Sequence, residues 1–380
     1  MLYSLGLFVL LWYALFTLML WKGWDRLRER SDLISENNAQ NLPLVSVIIP
    51  VRNEAEHIGA LLDALDKQCY PHDRYEVWVI DDASTDSTTS IVLDLQKKVS
   101  YRLQLESLLD DRTVISPKKR AITHAISLTN GALTVCTDGD CTVGAEWLAT
   151  MVSYFIATDA QFISSPVRYT PPSTIWEHFM TVELASLVGA GAATLAFNHP
   201  TMCNGANIAY RKSAFEDIGG YTLTPPVASG DDEFLMHAIQ KKYPNAVHFL
   251  KSSASIVDTQ PPPNWRSFEA QRRRWASKWK HYSSLTPKLV AVFVFLSNFI
   301  VLVGLVGWGL GQLDGHQLAL LWLLKCLPEF IFLAQILRFL DREKSIVYIP
   351  LLQLVYPLYV SFFGLAAQHS SFYWKGRKLH

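Results

Sequence analysis

The chain has 380 residues, room for one large domain or two medium ones, which excludes a peptide-sized module. Its 34 Lys plus Arg balance 34 Asp plus Glu, so no bulk positive field exists to hold nucleic acid, and a histone-like or polybasic role is excluded. At 50% hydrophobic and 18% charged residues, with a mean hydropathy of +0.14, the chain is too apolar for an ordinary soluble enzyme, and the apolar residues gather at its two ends.

Residues 1–22 are the first predicted element. No charged side chain precedes Lys22, and Arg26, Arg28 and Arg30 follow it. A cleavable signal peptide carries its charge ahead of the apolar run, so the reverse order predicts a signal anchor with its basic flank on the cytoplasmic side. Residues 23–42 read as that flank and a polar linker containing Asn37, Asn38 and Gln40. From residue 43 the texture changes. Leu44–Pro50, Glu76–Ile80 and Ala132–Thr137 are short β-branched apolar runs, each ending at polar residues, as buried parallel strands do. Between them, 54–67 places Ile58, Leu61, Leu62 and Leu65 on one helical face, and 87–98 and 118–128 have similar spacing. This alternation predicts a doubly wound α/β sheet within a domain spanning 43–285. Residues 174–196 read as a further apolar helix, with Thr174 and Glu177 at capping-box spacing. It is either an in-plane helix near the membrane that shapes an acceptor site or a buried core helix.

Residues 286–370 hold about three more spans, at 287–310, 317–337 and 345–367, each long enough to cross ~30 Å of hydrocarbon. Arg338, Arg342 and Lys344 predict a cytoplasmic loop between the last two. That count places Lys375, Arg377 and Lys378 of the basic tail (371–380) outside, against the charge rule, so the last span, with Pro350 and Pro357, is expected to be broken or re-entrant. Lys325 and Glu329 lie i, i+4 within a span and are expected to pair or snorkel. The five cysteines form no C-x-x-C pair and read as free thiols in a reducing compartment.

In an open parallel sheet, ligands bind at the carboxyl ends of the strands, where loops converge and helix N-termini favour anions. The first strand ends in Pro50, Val51, Arg52, Asn53 and Glu54; the second in Asp81 and Asp82; the third in Asp138, Gly139 and Asp140. Two carboxylates flanking a glycine on a turn can aim at one point, which suits a hard divalent cation bridging diphosphate oxygens. Such triplets also occur in solvated turns, and Asp81 and Asp82 could equally be helix caps. Lys118, Lys119 and Arg120 could neutralise phosphate or form a solvated basic face. Asp231, Asp232 and Glu233 crowd three negative groups. Mutual repulsion would raise the basicity of at least one, while Ser229 as N-cap of an acidic first turn is the bland alternative. Trp265, Phe268, Trp275 and Trp279 with Arg272–Arg274, Lys278 and Lys280 form an aromatic, basic helix that fits either a sugar-diphosphate or an anionic membrane surface.

Seven pieces, in order, are VSVIIPVRNE (45–54), VIDDASTDST (79–88), KKRAI (118–122), TDGD (137–140), NGAN (204–207), GDDEFL (230–235) and QRRRW (271–275). In this order and spacing the chain resembles the inverting family 2 glycosyltransferases, in particular their membrane-bound Q-x-x-R-W branch, over roughly residues 43–280 and the flanking spans. The resemblance implies a GT-A fold with transmembrane helices at both ends. It also implies donor contacts at Pro50, Arg52, Glu54, Asp82, Lys118 and Asp138, and a Mg²⁺ or Mn²⁺ site at Asp138 and Asp140. Asp232 would be the general base with Asp231 beside it. Acceptor and diphosphate contacts would come from Asn204, Gly205 and Asn207 and from Gln271, Arg274 and Trp275. The family usually has Gly before the lysine, whereas Pro117 stands here, so a different loop backbone is expected.

The expected activity is transfer of a sugar from a UDP-linked donor to a hydroxyl on a lipid or growing glycan. The departing diphosphate needs a cation and the attacking hydroxyl needs a base, which the two acidic groups supply. The chain is expected to be multi-pass, with its catalytic domain cytoplasmic, in the inner membrane if bacterial, and to bind membrane lipids but no nucleic acid. A nucleotide-sugar sensor or transporter without chemistry is disfavoured because the spans are few and nearly uncharged.

Overall fold

The computed structural model describes residues 2–30, 42–111, 113–222, 224–225, 227, 229–281, 285–366, 372–374 and 377–379. Most of the expected linker, Lys375, and the side chains of Trp279, Lys280, Arg377 and Lys378 lie outside what is described. In chain order the elements are α1 (Leu2–Arg26), β1 (Val45–Val51), α2 (Ile58–Asp66), β2 (Tyr75–Asp81), α3 (Thr88–Leu95), β3 (Arg102–Ser107), α4 (Pro117–Leu128), β4 (Leu133–Cys136), β5 (Cys141–Val143), α5 (Trp147–Ala157), β6 (Phe162–Ser164), β7 (Val167–Tyr169), α6 (Ile175–Leu195), β8 (Ile208–Arg211), α7 (Lys212–Asp217), α8 (Asp231–Lys242), β9 (Val247–Phe249), β10 (Val257–Thr259), α9 (Trp265–Ser277), α10 (Leu285–Gly309), α11 (Gly315–Phe339), α12 (Ile349–Ala366), β11 (Phe372–Trp374) and β12 (Arg377–Leu379). They divide into two compact units, one of sheets and short helices (27–170, 198–261 and 373–380) and one built from the long helices (1–26, 171–197 and 262–372).

The first unit contains a seven-stranded sheet in the order β3-β2-β1-β4-β8-β6-β9 and a three-stranded sheet, β5-β10-β7. Strands β3, β2, β1 and β4 run parallel. Val45, Val47, Ile48, Ile49, Val77, Val79 and Ile80 are fully buried, which is why both faces of β1 and β2 read as continuous β-branched runs. Pro50 lies past the last rung that β1 shares with β4, Ile48 opposite Cys136, so its missing N–H interrupts no pairing there. Helix α2 buries Ile58, Leu61, Leu62 and Leu65, on the order of 2 kcal/mol apiece. It begins later than the apolar spacing suggests, because Asn53 sits at φ 54° and the Glu54 carbonyl closes a turn onto the amides of His57 and Ile58.

The parallel pattern read for the first strands does not extend beyond β4. Strand β8 joins β4 and β6 antiparallel, and β6 pairs parallel with β9. These strands have three or four residues each, too few for a period to show.

In the second unit five helices are long and apolar enough to cross a membrane: Tyr3–Arg26, Ile175–Leu195, Leu285–Gly309, Gly315–Phe339 and Glu343–Gly364. Sequence reading counted four; the added one is α6. Most of α6 is buried within its unit, which favours the buried-helix alternative over the in-plane one. The Thr174 hydroxyl caps it by accepting the Glu177 amide. A Cβ at Gly23 would lie 2.6 Å from the Ala193 carbonyl oxygen, and one at Gly189 would lie 1.8 Å from Ile336 Cδ1, so small residues let α1 and α11 approach α6. Strands β4 and β8, which precede and follow α6 in the chain, are hydrogen-bonded neighbours in one sheet. A single crossing by α6 would leave them on opposite sides of a bilayer, so α6 does not cross despite its length.

Lys325 pairs with Glu329 at 3.0 Å and donates to Gln353 at 2.5 Å, while Tyr13 and Gln353 both donate to Glu329. The i, i+4 pair is thus held among α1, α11 and α12 and does not snorkel. The last segment is shortened: residues Glu343–Tyr348 form a 3-10 turn, and α12 starts only at Ile349, with Pro350 in its first turn, where a missing N–H is harmless. Pro357 sits inside α12 without ending it.

Candidate active site

Three loops at the carboxyl ends of β1, β2 and β4 gather beside helix α4, whose Lys118 also pairs with Asp231 at the start of α8. Between the ends of β1 and β2 the backbone makes a mutual clamp. The Asn53 carbonyl oxygen of its side chain accepts the Thr85 amide at 2.8 Å, Ser84 Oγ accepts the Asn53 amide at 2.9 Å, and Thr88 Oγ1 accepts the Glu54 amide at 2.8 Å. Asn53 and Ala83 both adopt left-handed backbone, at φ 54° and 55°. Asn tolerates this; at Ala83 it is strain held by the surrounding bonds. Asp86 takes the Ala55 amide and the Thr88 amide and hydroxyl; burial opposes its ionisation, but these donors outweigh it and hold its carboxyl below the usual range.

Asp82 is buried between two arginines. Arg120 donates to Oδ1 at 2.6 Å, and Arg52 bonds the Asp82 carbonyl and lies 3.8 Å from Oδ2. Asp81 instead caps its own turn by accepting the Ser84 amide at 3.2 Å. Of the two acidic groups after β2, only Asp82 therefore presents a charged edge tied to the basic helix α4.

The D-G-D turn follows β4. A Cβ at Gly139 would lie 2.8 Å from Val51 Cγ1 and 3.0 Å from Glu54 Cγ, so the glycine is required for this turn to rest against the end of β1. Lys118, in the first turn of α4, reaches Asp138 Oδ1 at 2.7 Å and Asp231 Oδ2 at 3.3 Å. Burial pulls the Lys118 ammonium pKa down, but Asp138, Asp231 and Asp232 outweigh it and hold it well above the ordinary lysine range. Pro117 occupies the first helical position, where its fixed φ suits a helix start; the family's usual glycine has been replaced without loss of the helix.

Helix α8 starts from Gly230, whose φ of 81° is left-handed, and no side chain caps it. The Ser229 cap of the bland alternative is therefore not formed, and the helix start is stabilised by the acidic first turn itself. Asp231 turns to Lys118, while Asp232 Oδ2 accepts the Gly205 amide and Oδ1 the Glu233 amide, each at 2.8 Å. Asp231 and Asp232 thus turn to different partners. A Cβ at Gly205 would come within 3.2 Å of Lys118 Nζ and 3.3 Å of Asp232 Oδ2, which places the N-G-A-N loop between the lysine and the acidic helix start.

The rest of that loop serves the fold. Asn204 closes the loop on itself by accepting the Ala206 amide at 3.1 Å. Asn207 is fully buried; it accepts the Trp147 indole N–H at 3.0 Å and donates to the Pro166 and Ser255 carbonyls at 2.7 and 2.8 Å. Its reading as an acceptor contact is corrected, because its amide is spent on tying α5 to the loops beneath the site. Sequence reading also missed Arg120, which it placed only in a general basic run, and Lys119, whose Nζ donates to the Pro225 carbonyl at 2.9 Å. Three consecutive basic residues at 118–120, which a helix turns to different sides, were the available signal. Gln271, Arg274 and Trp275 lie on α9 in the helical unit. Lys278 beside them is buried, against its placement on an anionic membrane surface.

No group of three or more His, Cys, Asp or Glu that could hold a metal occurs among the described residues. Asp138 and Asp140 on their tight turn provide two hard oxygen donors, which fits a Mg²⁺ or Mn²⁺ ion that takes its remaining ligands from substrate phosphates and water. Cys141 beside them is buried, with burial and then the neighbouring carboxylates pushing its thiol pKa well up, so it supplies no thiolate.

The Glycosyl transferase family 2 model matches residues 46–219, and that of Glycosyl transferase family group 2 matches 133–364. The chain belongs to the family 2 glycosyltransferases. This glycosyltransferase is 30% identical over 207 residues to Glycosyltransferase AglE of Haloferax volcanii, covering 53% of this chain and 63% of AglE. It is 25% identical to Probable glycosyltransferase YdaM of Bacillus subtilis over 81% of this chain and 76% of that protein. A shorter match, 33% identical, covers 30% of this chain and 24% of Beta-monoglucosyldiacylglycerol synthase from a Nostoc species. Among solved structures, it shares its fold with the mannosyltransferase PcManGT of Pyrobaculum calidifontis, solved with GDP-Man and Mn²⁺. The TM-score is 0.60 at 18% identity, covering 93% of this chain and 99% of that one. The GT-A fold expected from the sequence is thus found, with apolar helices long enough to span a membrane toward both ends.

Proposed function

We propose that this glycosyltransferase moves a sugar from a UDP-linked donor to a hydroxyl on a lipid or growing glycan, with inversion, at a membrane surface, as a member of the Q-x-x-R-W branch. The observation that supports it most is the shared lysine: Lys118 bonds Asp138 on the D-G-D turn and pairs with Asp231, while Asp232 is held by the Gly205 amide beside it. Residues far apart in the sequence thereby form one charged centre with carboxylates at one end and a fixed base at the other. The diacylglycerol-linked product in the name of the Nostoc relative supports a lipid acceptor.

In this reading Asp82, with Arg52 and Arg120 behind it, takes the donor's nucleoside, with Pro50 and Glu54 lining the same strand end. Asp138 and Asp140 would hold the divalent cation, which supplies charge neutralisation of the diphosphate when bound. Lys118 adds positive charge where the departing diphosphate develops negative charge. Asp232 accepts the acceptor hydroxyl's proton as its oxygen bonds the anomeric carbon from the face opposite the diphosphate. The bond from that carbon to the diphosphate oxygen then breaks and configuration inverts. The two amides on Asp232 fix the direction of its carboxylate before substrate arrives, which is the preorganisation a base needs.

The test is Asp232→Asn in the full chain, offered UDP-glucose and GDP-mannose with Mn²⁺. Transfer should fall by about 10²–10⁴ in kcat while donor KM stays within a few-fold, the loss associated with removing a general base. Chelating the cation with EDTA should abolish transfer, and Mn²⁺ or Mg²⁺ should restore it. Full turnover in the variant would refute the assignment of the base.

A further inference from the structure

Arg272 is the second residue of Q-R-R-R-W, and its environment differs from that of the arginines after it. Its Nε donates to both oxygens of Glu183 on α6, at 2.7 and 2.9 Å, its Nη2 donates to the same carboxylate, and its Nη1 donates to the side-chain oxygen of Gln271. Its guanidinium carbon stands 4.4 Å from the ring centres of both Phe268 and Trp275. Tyr359 on α12 donates its hydroxyl to Glu183 as well. Arg272 is 4% and Glu183 7% exposed. Arg273, by contrast, pairs at 2.8 Å with Glu269 one turn back on the same helix and is half-buried.

A buried ion pair is a poor way to gain stability, since desolvating two charges offsets most of their attraction and an apolar pair of similar volume serves as well or better. What it gives is geometry. Only a guanidinium can engage a carboxylate with two nitrogens and still offer a third. Here that third nitrogen holds Gln271. Consecutive residues on a helix point about 100° apart, so a bond between the side chains of Gln271 and Arg272 is not the helix default and fixes the rotamers of both. Phe268 and Trp275 lie four residues before and three after Arg272, on its own face, so the same group also supports the Trp275 ring.

We propose that Glu183, Arg272 and Tyr359 form an internal strut that positions Gln271 and Trp275 for the acceptor, and that Arg272 is a positioning residue and not a contact to diphosphate. The proposal rests on the reading of Gln271 and Trp275 as acceptor contacts. Glu183 on α6 and Tyr359 on α12 then belong to the working parts of α9 although neither lies in a recognised motif.

The experiment uses the full chain in nanodiscs of phosphatidylethanolamine and phosphatidylglycerol doped with dioleoylglycerol, with UDP-glucose as donor. In Glu183→Gln, amide exchange over residues 265–277 should speed up by about tenfold or more while that of α8 is unchanged. Transfer to dioleoylglycerol should fall about tenfold or more while hydrolysis of UDP-glucose to water stays within about twofold, the split expected when only acceptor placement is lost. Arg272→Lys should behave like Glu183→Gln, because an ammonium cannot hold Glu183 and Gln271 together. Tyr359→Phe, a milder change that keeps the packing, should move both readouts in the same direction by less. Unchanged exchange over α9 in Glu183→Gln and Tyr359→Phe would overturn the proposal, as would equal losses of transfer and hydrolysis. A wild-type chain that turns over no nucleotide sugar would defeat the functional reading instead, and the exchange measurement would still decide the strut.

Discussion

Replacing Lys118 by Met keeps the length and apolar stem of the side chain and removes its charge. Two carboxylates then lose the ammonium they share: Asp138, whose side chain is 35% exposed, and Asp231, whose side chain is 9% exposed. Breaking a buried ion pair costs about 3–5 kcal/mol when the partner left behind is fully desolvated. Water reaches Asp138 and screens its share, so Asp231 carries most of the penalty, and roughly 2 kcal/mol is expected for Lys118→Met. In a unit of roughly 200 residues this corresponds to a fall of about 4–8 °C in the unfolding midpoint. The pH dependence follows from which group titrates. The folded pKa of Lys118 is raised, so its contribution is fully present below the ordinary lysine value and is lost only as pH rises through the raised one. From pH 5 to 9 the lysine term is therefore flat. The gap between the two proteins should therefore stay constant from pH 5 to 9. The measurement is the thermal midpoint of both proteins, without added metal, across that range. A midpoint equal to wild type at pH 7, or a gap that widens in acid, would refute the shared-lysine account of the site.

Gly139→Ala should disable the site more than it destabilises the protein. Its Cβ would meet Val51 Cγ1 at 2.8 Å and Glu54 Cγ at 3.0 Å, so the turn must move away from β1. The expected loss is about 1–3 kcal/mol in stability, with Mn²⁺-dependent donor binding, measured by calorimetry, weakened tenfold or more. Unaltered donor affinity would show that the turn does not carry the cation. Asn207→Ala should be a folding defect and not a catalytic one. It strands the Trp147 N–H and the buried Ser255 carbonyl, at about 1–3 kcal/mol for each group left unpaired, and removes one of two donors from the Pro166 carbonyl, which keeps the Val257 amide. Protein that folds with wild-type stability and loses only activity would restore Asn207 to the acceptor site.

Much of the site was legible because charged groups at strand ends are read from local sequence alone. Asp82 and Asp138 could each be named from a run of apolar residues stopping at acids, whereas Asp232 was singled out only through the family resemblance. Their partners could not. Arg120 reaches Asp82, and Lys118 rather than Lys119 reaches Asp138 and Asp231, because α4 turns one of three consecutive cations toward each neighbour. Asn207 and Gly205 stand in one four-residue motif, yet one ties the fold together and the other donates to Asp232. Nothing in their spacing distinguishes them, because the difference lies in which loops pack against them.

The sequence by itself determined three of the four parallel strands, the apolar terminal helices and the list of candidate acids. All of these rest on patterns of a few neighbouring residues: β-branched runs, uncharged stretches, and polar stops at strand ends. Only the tertiary structure decided the antiparallel strands β8 and β6, the exclusion of α6 from crossing, and the pairing of Arg272 with Glu183. Each depends on contacts between segments distant in the chain, and such contacts are fixed by packing and desolvation, to which local periodicity is blind.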